Sequence, residues 1–514
     1  MAKSYRFLFS SRRDTPRGRN LLGVNAGPAR YEGGKVETNE AVLEAYRTIG
    51  VRAVRTHDFE GPFDMAWFYP TEKKGGWDLT AKALHAIVDN GFEPYLRLGY
   101  SYQNAQRNQE VFEELAASGS ARRNWCRAAA DYVKRCLDAA DGKLRCIEIW
   151  NEPDGTRFWA HEDDDKKKDE KEAYRSFAKL FEMVVLELRE RFGEDLAIGG
   201  PGMTHYANDE DGRNFSEIFL KEIGDSEAKG QVDFISWHCY LNDPNLGKDE
   251  YEDVAPKYLE KEHERFARDM RRKFDGDRPF HLTEWNLANS YYDKLSTALG
   301  ATKLTATWIA MHRLGFGRAF FYRGDGNPNA EDAKAPKGPA LVTADGQIRH
   351  AGHAFRLWSR FWDVACGDGG VLAEVECYED GQKEKKAKDR SNKGLWGLAA
   401  CNRDETAFLV ANDTGKDVRY ALDLEERFTE PGVTTEVECI ESDGVTAGRP
   451  KGEWVSLPQG STHLLVVSRA TQGTASRRRG GTTTSRGRGG ETEDRPKTAS
   501  GRRRGASRRV RTRT

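Results

Sequence analysis

Between Leu21 and about Gly324 the chain repeats one unit eight times, a short apolar run followed by an amphipathic stretch. The runs are LLGVNAG (21–27), VRAVRTH (51–57), EPYLRLGY (93–100), LRCIEIWNE (144–152), LAIGGPG (196–202), VDFISWHCY (232–240), PFHLTEWN (279–286) and RAFFYRG (318–324). In TAKALHAIVDNG (80–91), AYRSFAKLFEMVVLELRERFG (173–193) and TALGATKLTATWIAMHRLG (297–315), apolar residues recur every three or four positions and glycine closes the segment. That spacing predicts helices with a common stop signal. Strand–helix alternation predicts a parallel sheet with right-handed crossovers. Eight units fit a closed (β/α)8 TIM barrel better than an open doubly wound sheet. An open sheet of that kind is expected to carry a glycine-rich phosphate loop, and no GxGxxG follows any run.

The texture changes near Val371 to short alternating runs: VLAEVECY, LWGLAACN, TAFLVAND, RYALDL, TTEVECIES and STHLLVVS. Turn residues separate them, which predicts a C-terminal antiparallel β-sandwich. The expected division is an N-terminal segment (1–20), the catalytic-size barrel (21–365), the sandwich (366–468) and an Arg/Gly-rich tail (469–514). The tail has almost no apolar residues and is expected to be disordered. The overall formal charge of −1 conceals an asymmetry: the tail carries +12, leaving −13 on the rest.

Eight cysteines show no CxxC and several lie in apolar runs, so buried free thiols are expected. No apolar run approaches the roughly 18 residues that span a bilayer. The apolar core of MAKSYRFLFSSRRD is only Phe7 to Phe9, too short for a secretory signal, so a cytoplasmic protein is expected unless a leader has been removed.

In a barrel the chemistry belongs at the C-terminal ends of the strands. There the runs deliver Arg55, His57 and Asp58; Asn151 and Glu152; Trp237, His238 and Tyr240; Thr283, Glu284, Trp285 and Asn286; and Tyr322, Arg323 and Asp325. Glu152 and Glu284, on the fourth and seventh runs, should face each other across the mouth. Two carboxyls across a cleft are the minimal apparatus for glycoside hydrolysis. A gap of about 5–5.5 Å means a covalent glycosyl-enzyme and retention, and about 6.5–9.5 Å means inversion. One of the pair must hold a proton near neutral pH, through burial and the charge of the other, while the other stays ionised beside a hydroxyl or a cation. Pro153 is expected to hold Glu152 extended. Glu148 is expected to point into the barrel as a structural partner.

IEIWNEPD followed by HLTEWN, with VRTHDF on the second run and ISWHCY on the sixth, resembles the clan-A glycoside hydrolases, and most of all family 39, that of β-xylosidases and α-L-iduronidases. The resemblance covers roughly residues 20–360 and implies a retaining glycosidase that uses no metal and no organic cofactor. It implies Glu152 as acid/base, Glu284 as nucleophile and Asn151 as holder of the sugar 2-hydroxyl. His238 and Tyr240 match positions around the nucleophile, and Arg55 and His57 match sugar contacts. Trp285 and Arg323 complete the expected substrate-binding set. β-Xylosidase-like exo-action on oligosaccharides or glycosides is the expected activity. Asp154 after Asn-Glu-Pro is iduronidase-like, whereas Glu284-Trp285-Asn286 is xylosidase-like.

Other readings stay open. Arg323 either grips a uronate carboxylate or pairs with Asp325, and the pairing is preferred. His57 can be a barrel-wall histidine. His238 and Cys239 lack a further ligand at metal spacing, and His350 with His353 reads as surface. Trp67, Tyr69, Trp77 and Trp159 either stack on sugar or pack the core. The run HEDDDKKKDEKE (161–172) reads as a solvated loop and DGQKEKKAKDRSNKG (380–394) as a hairpin loop. An endo-acting glycanase or a uronic-acid-directed glycosidase is an alternative. A different class is a non-catalytic carbohydrate- or polyanion-binding protein, with residues 469–514 engaging an acidic polysaccharide or nucleic acid.

Overall fold

The fold is taken from a computed structural model, which describes residues 2–469 except 15–18, 59–61, 156, 160–169, 205–214, 242–255, 275–276, 327–337, 381–393, 424–432, 443 and 451. Most of the charged run at 161–172, the insert at 381–393 and the basic tail from 470, with its expected polyanion partner, lie outside the described residues.

The chain opens with β1 (Lys3–Asp14) and enters the barrel at β2 (Asn20–Asn25). A hairpin of β3 (Ala29–Glu32) and β4 (Lys35–Thr38) leads to α1 (Glu40–Ile49). The other barrel strands are β5 (Ala53–Arg55), β6 (Glu93–Leu98), β7 (Cys146–Ile149), β8 (Ala197–Met203), β9 (Phe234–Leu241), β10 (Phe280–Leu287) and β11 (Arg318–Phe321). Among them run α2 (Gly76–Val88), α3 (Tyr102–Arg107), α4 (Gln109–Ala117), α5 (Gly119–Ala139), α6 (Glu170–Phe192), α7 (Phe215–Gly224), α8 (Lys257–Lys273) and α9 (Ala298–Leu314). α10 (His350–Ala365) follows the last strand. Strands β2, β5, β6, β7, β8, β9, β10 and β11 pair in that order and close into a barrel, each pair parallel. The fold is thus a (β/α)8 TIM barrel. The helix-stop glycines do their expected work: α9 ends where Gly315 turns left-handed at φ 81°, and its N–H bonds back to His312 and Met311 carbonyls.

Strand alternation builds the interior in layers. Ala53, Tyr95, Cys146, Phe234 and Phe320 form a small apolar floor. Two residues further along β5 and β7 the inward positions become Arg55 and Glu148, both fully buried. The barrel changes from an apolar plug to a charged layer within one strand period.

The C-terminal strands are β12 (Val371–Glu379), β13 (Leu395–Cys401), β14 (Glu405–Asn412), β15 (Val418–Asp423), β16 (Val433–Glu441), β17 (Gly444–Gly448), β18 (Val455–Leu457) and β19 (Thr462–Arg469). They form one sheet in the order β17-β16-β19-β14-β13-β12-β1-β15-β18. The N-terminal residues, set apart in the sequence reading, therefore supply an internal strand of this sheet. β1 runs antiparallel to β12 and parallel to β15. One set of buried side chains, including Trp396, Leu398, Leu409 and Leu464, belongs to the barrel's core. The other, including Tyr5, Phe7, Phe408 and Tyr420, forms a second core. Lys303 of α9 reaches across to Asp413 at 2.9 Å, and Thr302 meets Thr462 at 3.1 Å. All eight cysteines are free thiols, six of them buried. Among the described residues no helix is long and apolar enough to cross a membrane.

Candidate active site

Arg55, at the end of β5, organises the mouth. Its Nε donates to Glu148 Oε2 at 2.6 Å and its Nη2 to Asn151 Oδ1 at 2.7 Å. Nη1 donates to both Asn25 Oδ1 at 2.9 Å and Glu284 Oε1 at 2.8 Å. One rigid guanidinium fork thus connects the ends of β2, β7 and β10. Tyr240 donates to the other Glu284 oxygen at 2.6 Å, and His238 Nδ1 stands 2.9 Å from Glu152 Oε1 and 3.6 Å from Glu284 Oε2. One oxygen from each of Glu152 and Glu284 and one His238 nitrogen lie within 4.8 Å of one another.

The backbone that carries Glu152 is unusual. Glu152 departs from the extended geometry expected before proline: its φ is 49°, and Trp150 just before has φ 81°. Two hydrogen bonds account for the turn. Glu152 N–H donates to Gly202 O on β8 at 2.9 Å, and Gly155 N–H donates to Glu152 O at 2.9 Å. Non-glycine residues with positive φ persist only where the surroundings over-determine them, and such places concentrate at functional sites. The proline rule disfavours a helical Glu152 but leaves the left-handed region available to a tethered one.

The two carboxyls are tuned apart. Glu152 has 23% of its side chain exposed and Glu284 4%. Burial pushes the Glu152 carboxyl up to about 8, reinforced by the nearby charge of Asp154 and opposed by Arg55. The main neighbouring charge is therefore Asp154, where the sequence reading named Glu284. Burial also raises the Glu284 carboxyl above its ordinary value, with the Arg55 guanidinium opposing the rise. With an arginine donor on one oxygen and a tyrosine hydroxyl on the other, Glu284 is the better-held anion despite its deeper burial. Burial and Arg55 lower His57 far enough to keep it neutral. Such a pair, one carboxyl disposed to keep its proton and one with a donor on each oxygen, has the parts to protonate a leaving oxygen and to attack the carbon it leaves.

Of the expected set, Arg55, His57, Asn151, Glu152, His238, Tyr240 and Glu284 come together. His57 Nε2 lies 3.2 Å from Asp58 Oδ1 and 3.6 Å from Glu284 Oε1. Asn151 keeps a buried amide nitrogen with no partner among the described residues. Arg323 sits nearby, 3.2 Å from Asp325 and 3.9 Å from Asp58. Trp285 does not join them. It is fully buried against Phe321 and Trp358, with ring centroids 5.1 and 6.0 Å away, because the residue after an inward glutamate on a strand must point outward. Trp159 and Tyr69 are likewise buried in the core. Trp67 packs on Tyr31, and Trp77 lies under Arg135.

Asn25 escaped the sequence reading, and Tyr322 and Asp154, which it named, take partners it did not foresee. Asn25 ends β2, accepts from Arg55 and donates to Thr283 O at 2.9 Å. Tyr322 donates to Asp58 at 2.6 Å. Asp154 accepts from Thr204 N–H at 3.0 Å and Thr204 Oγ1 at 2.5 Å. The available signal for the first was a polar residue closing an otherwise apolar run. Glu152, His238 and Glu284 also converge closely enough to ligate an ion, as do Cys439, Glu441 and His463 in the C-terminal sheet. In the latter trio His463 already contacts Glu441 at 3.1 Å and Tyr420 at 3.4 Å, and burial lifts the Cys439 thiol to about 12. It is a hydrogen-bonded cluster holding a protonated thiol.

The family model described as "Glycosyl hydrolases family 39" matches residues 44–311, just over half of the chain. Among solved structures, the chain is similar to a glucosidase from Croceicoccus marinus, at 14% identity and TM-score 0.64, over 91% of this chain and all of that one. A monomeric β-xylosidase from Caulobacter crescentus matches at 14% identity and TM-score 0.61, with 91% and 100% covered. An α-L-arabinofuranosidase from Thermotoga maritima matches at 14% identity and TM-score 0.58, with 90% and 100% covered. At such identities these structures speak for the fold.

Proposed function

Because the chain belongs to glycosyl hydrolase family 39 and is a glycoside hydrolase, we propose that it cleaves glycosides with retention by double displacement, Glu284 acting as nucleophile and Glu152 as acid/base. The observation that supports this most is the meeting of Glu152 and Glu284 oxygens within 4.8 Å. An approach that close favours the short spacing of about 5–5.5 Å of a retaining pair over the about 6.5–9.5 Å of an inverting one.

In the first step Glu152 gives its proton to the glycosidic oxygen as a Glu284 oxygen bonds to the anomeric carbon, and the aglycone leaves as an alcohol. The ester cancels the negative charge of Glu284. In the second, Glu152 as a carboxylate takes a proton from water, water oxygen bonds to the anomeric carbon, and Glu284 leaves as the carboxylate. Arg55 and Tyr240 steady Glu284 in the free enzyme, and the Asn151 amide is the candidate donor to the sugar 2-hydroxyl.

For substrate we infer β-xylosidase-like exo-action. The relatives include a β-xylosidase, and Arg323 is already committed to Asp325, which disfavours a uronate. The basic tail is inferred to bind anionic polymer apart from the barrel. The test combines an aryl glycoside screen with Glu284→Gly. Aryl β-xyloside should lead over β-glucoside, β-galactoside, α-L-arabinoside and α-L-iduronide, with a β-anomer formed first by proton NMR. Glu284→Gly should lose turnover and recover it with azide or formate. Residual activity indifferent to azide, or a first-formed α-anomer, refutes the nucleophile assignment.

A further inference from the structure

Behind the carboxylate pair, three buried polar groups face one point in the barrel wall. Gly202 of β8 has φ 65°, and a Cβ placed on it would lie 3.2 Å from Glu148 Oε1, 3.2 Å from His238 Nε2 and 3.5 Å from Arg55 Nη2. Glu148 and His238 are fully buried, and Glu148 Oε1 and His238 Nε2 have no hydrogen-bond partner among the described residues. Neither bonds the other, although each lies within 3.2 Å of the same point. Leaving a buried polar atom unpaired costs about 1–3 kcal/mol. Nearly all such atoms in native proteins find a partner, and a buried water with two to four polar neighbours is the usual one.

We propose that a water held over Gly202 joins His238 Nε2 to Glu148 Oε1, and that this link makes His238 a positioning residue for the Glu152 proton. The inference rests on Glu152 being the acid. Arg55 Nε donates to the other Glu148 oxygen at 2.6 Å, which leaves Oε1 as the acceptor for the water. The water in turn accepts from an Nε2–H on His238. With its proton there, the imidazole presents a lone pair at Nδ1, 2.9 Å from Glu152 Oε1. That lone pair receives the Glu152 hydroxyl and holds the acid protonated before the first step. Once the proton has gone to the leaving group, the same lone pair opposes the carboxylate and strengthens it as a base toward water.

Asp154, Arg55, Asp58 and Arg157 also face Glu152, and Glu284, Arg55, Glu148 and Asp154 face His238. Of these, Glu148 is the acceptor aimed at the Nε2 side. A Cβ at 202 would stand 3.2 Å from both Glu148 Oε1 and His238 Nε2 and crowd the space where the three groups converge. Ser236 Oγ contacts Gly202 N–H at 2.8 Å and Gly202 O accepts from Glu152, which hold the position on both sides.

The test is read first on the unaltered protein. A crystal structure that shows waters should place one within hydrogen-bond reach of both atoms. Nitrogen-15 NMR at pH 6, with His238 assigned by loss of its signals in His238→Gln, should show the Nε2–H tautomer. Gly202→Ala should lose the water and bring the alkaline limb of the kcat/KM profile down by about one pH unit, with KM little changed. An empty point between Glu148 and His238, an Nδ1–H tautomer, or an unmoved alkaline limb in a folded Gly202→Ala overturns the proposal. An alkaline limb that survives in a residually active Glu152→Gln overturns the acid assignment instead, and the tautomer reading does not depend on it.

Discussion

At the scale of single residues, a buried cation does the organising. A guanidinium buried from bulk solvent is tolerated only when its donors are matched, and Arg55 matches three of its nitrogens with Glu148, Asn25, Glu284 and Asn151. Sequence alone reached Arg55, His57, Asn151, Glu152, His238, Tyr240 and Glu284 because they gather at the ends of runs, in the motifs that carry the family resemblance. It missed that Asp154 outweighs Glu284 as a charge on Glu152, since the proximity of two carboxyls two residues apart depends on the turn at Glu152. A prediction follows from that charge. Glu152 works as an acid while protonated, so activity should fall as pH rises through about 8. Asp154→Asn removes the negative neighbour, lowers the Glu152 carboxyl, and should move the alkaline limb to lower pH by up to about one unit. The kcat/KM profile from pH 5 to 10 measures it; an alkaline limb that stays in place or moves up contradicts this account of the tuning.

At the scale of elements, the eight barrel strands were legible because apolar runs alternating with amphipathic stretches are a strong, local signal. Trp285 shows the limit of reading strand ends as a group: period-two alternation sends Glu284 inward and its neighbour into the packing beneath α10. The N-terminal strand shows another. Tyr5, Phe7 and Phe9 alternate with Arg6 and Leu8, a readable strand pattern, but its partners lie over 360 residues away in β12 and over 400 away in β15. No local signal announces a pairing of that range. Phe7 is nearly inaccessible and its ring centroid lies 4.8 Å from that of Phe408 and 6.0 Å from that of Tyr420. Phe7→Ala should cost roughly 3–5 kcal/mol by leaving a cavity in the second core. Urea denaturation should show that loss while kcat of the folded fraction holds; a stability within 1 kcal/mol of the parent, an order-of-magnitude threshold below the usual cost of such a truncation, would remove β1 from the structural role assigned here.

At the scale of the whole molecule, charge is divided as sharply as structure. The first 468 residues carry −13 and the remainder +12. An acidic body repels an anionic polymer, so any attraction must come from the arginines, and it should weaken steeply with salt as counterions are released. Catalysis has no need of them, because the carboxylate pair, Arg55 and the β-strands that hold them all lie before residue 470. Deleting residues 470–514 should therefore leave kcat/KM on an aryl glycoside unchanged and abolish retention on an anionic polysaccharide column at low salt. The full chain should elute earlier from that column as salt rises from 50 to 200 mM, roughly the range over which phosphate-bound proteins lose most of their affinity. Equal retention of both forms would assign the attraction elsewhere. A fall in aryl glycoside hydrolysis after deletion would contradict the separation of catalysis from the tail.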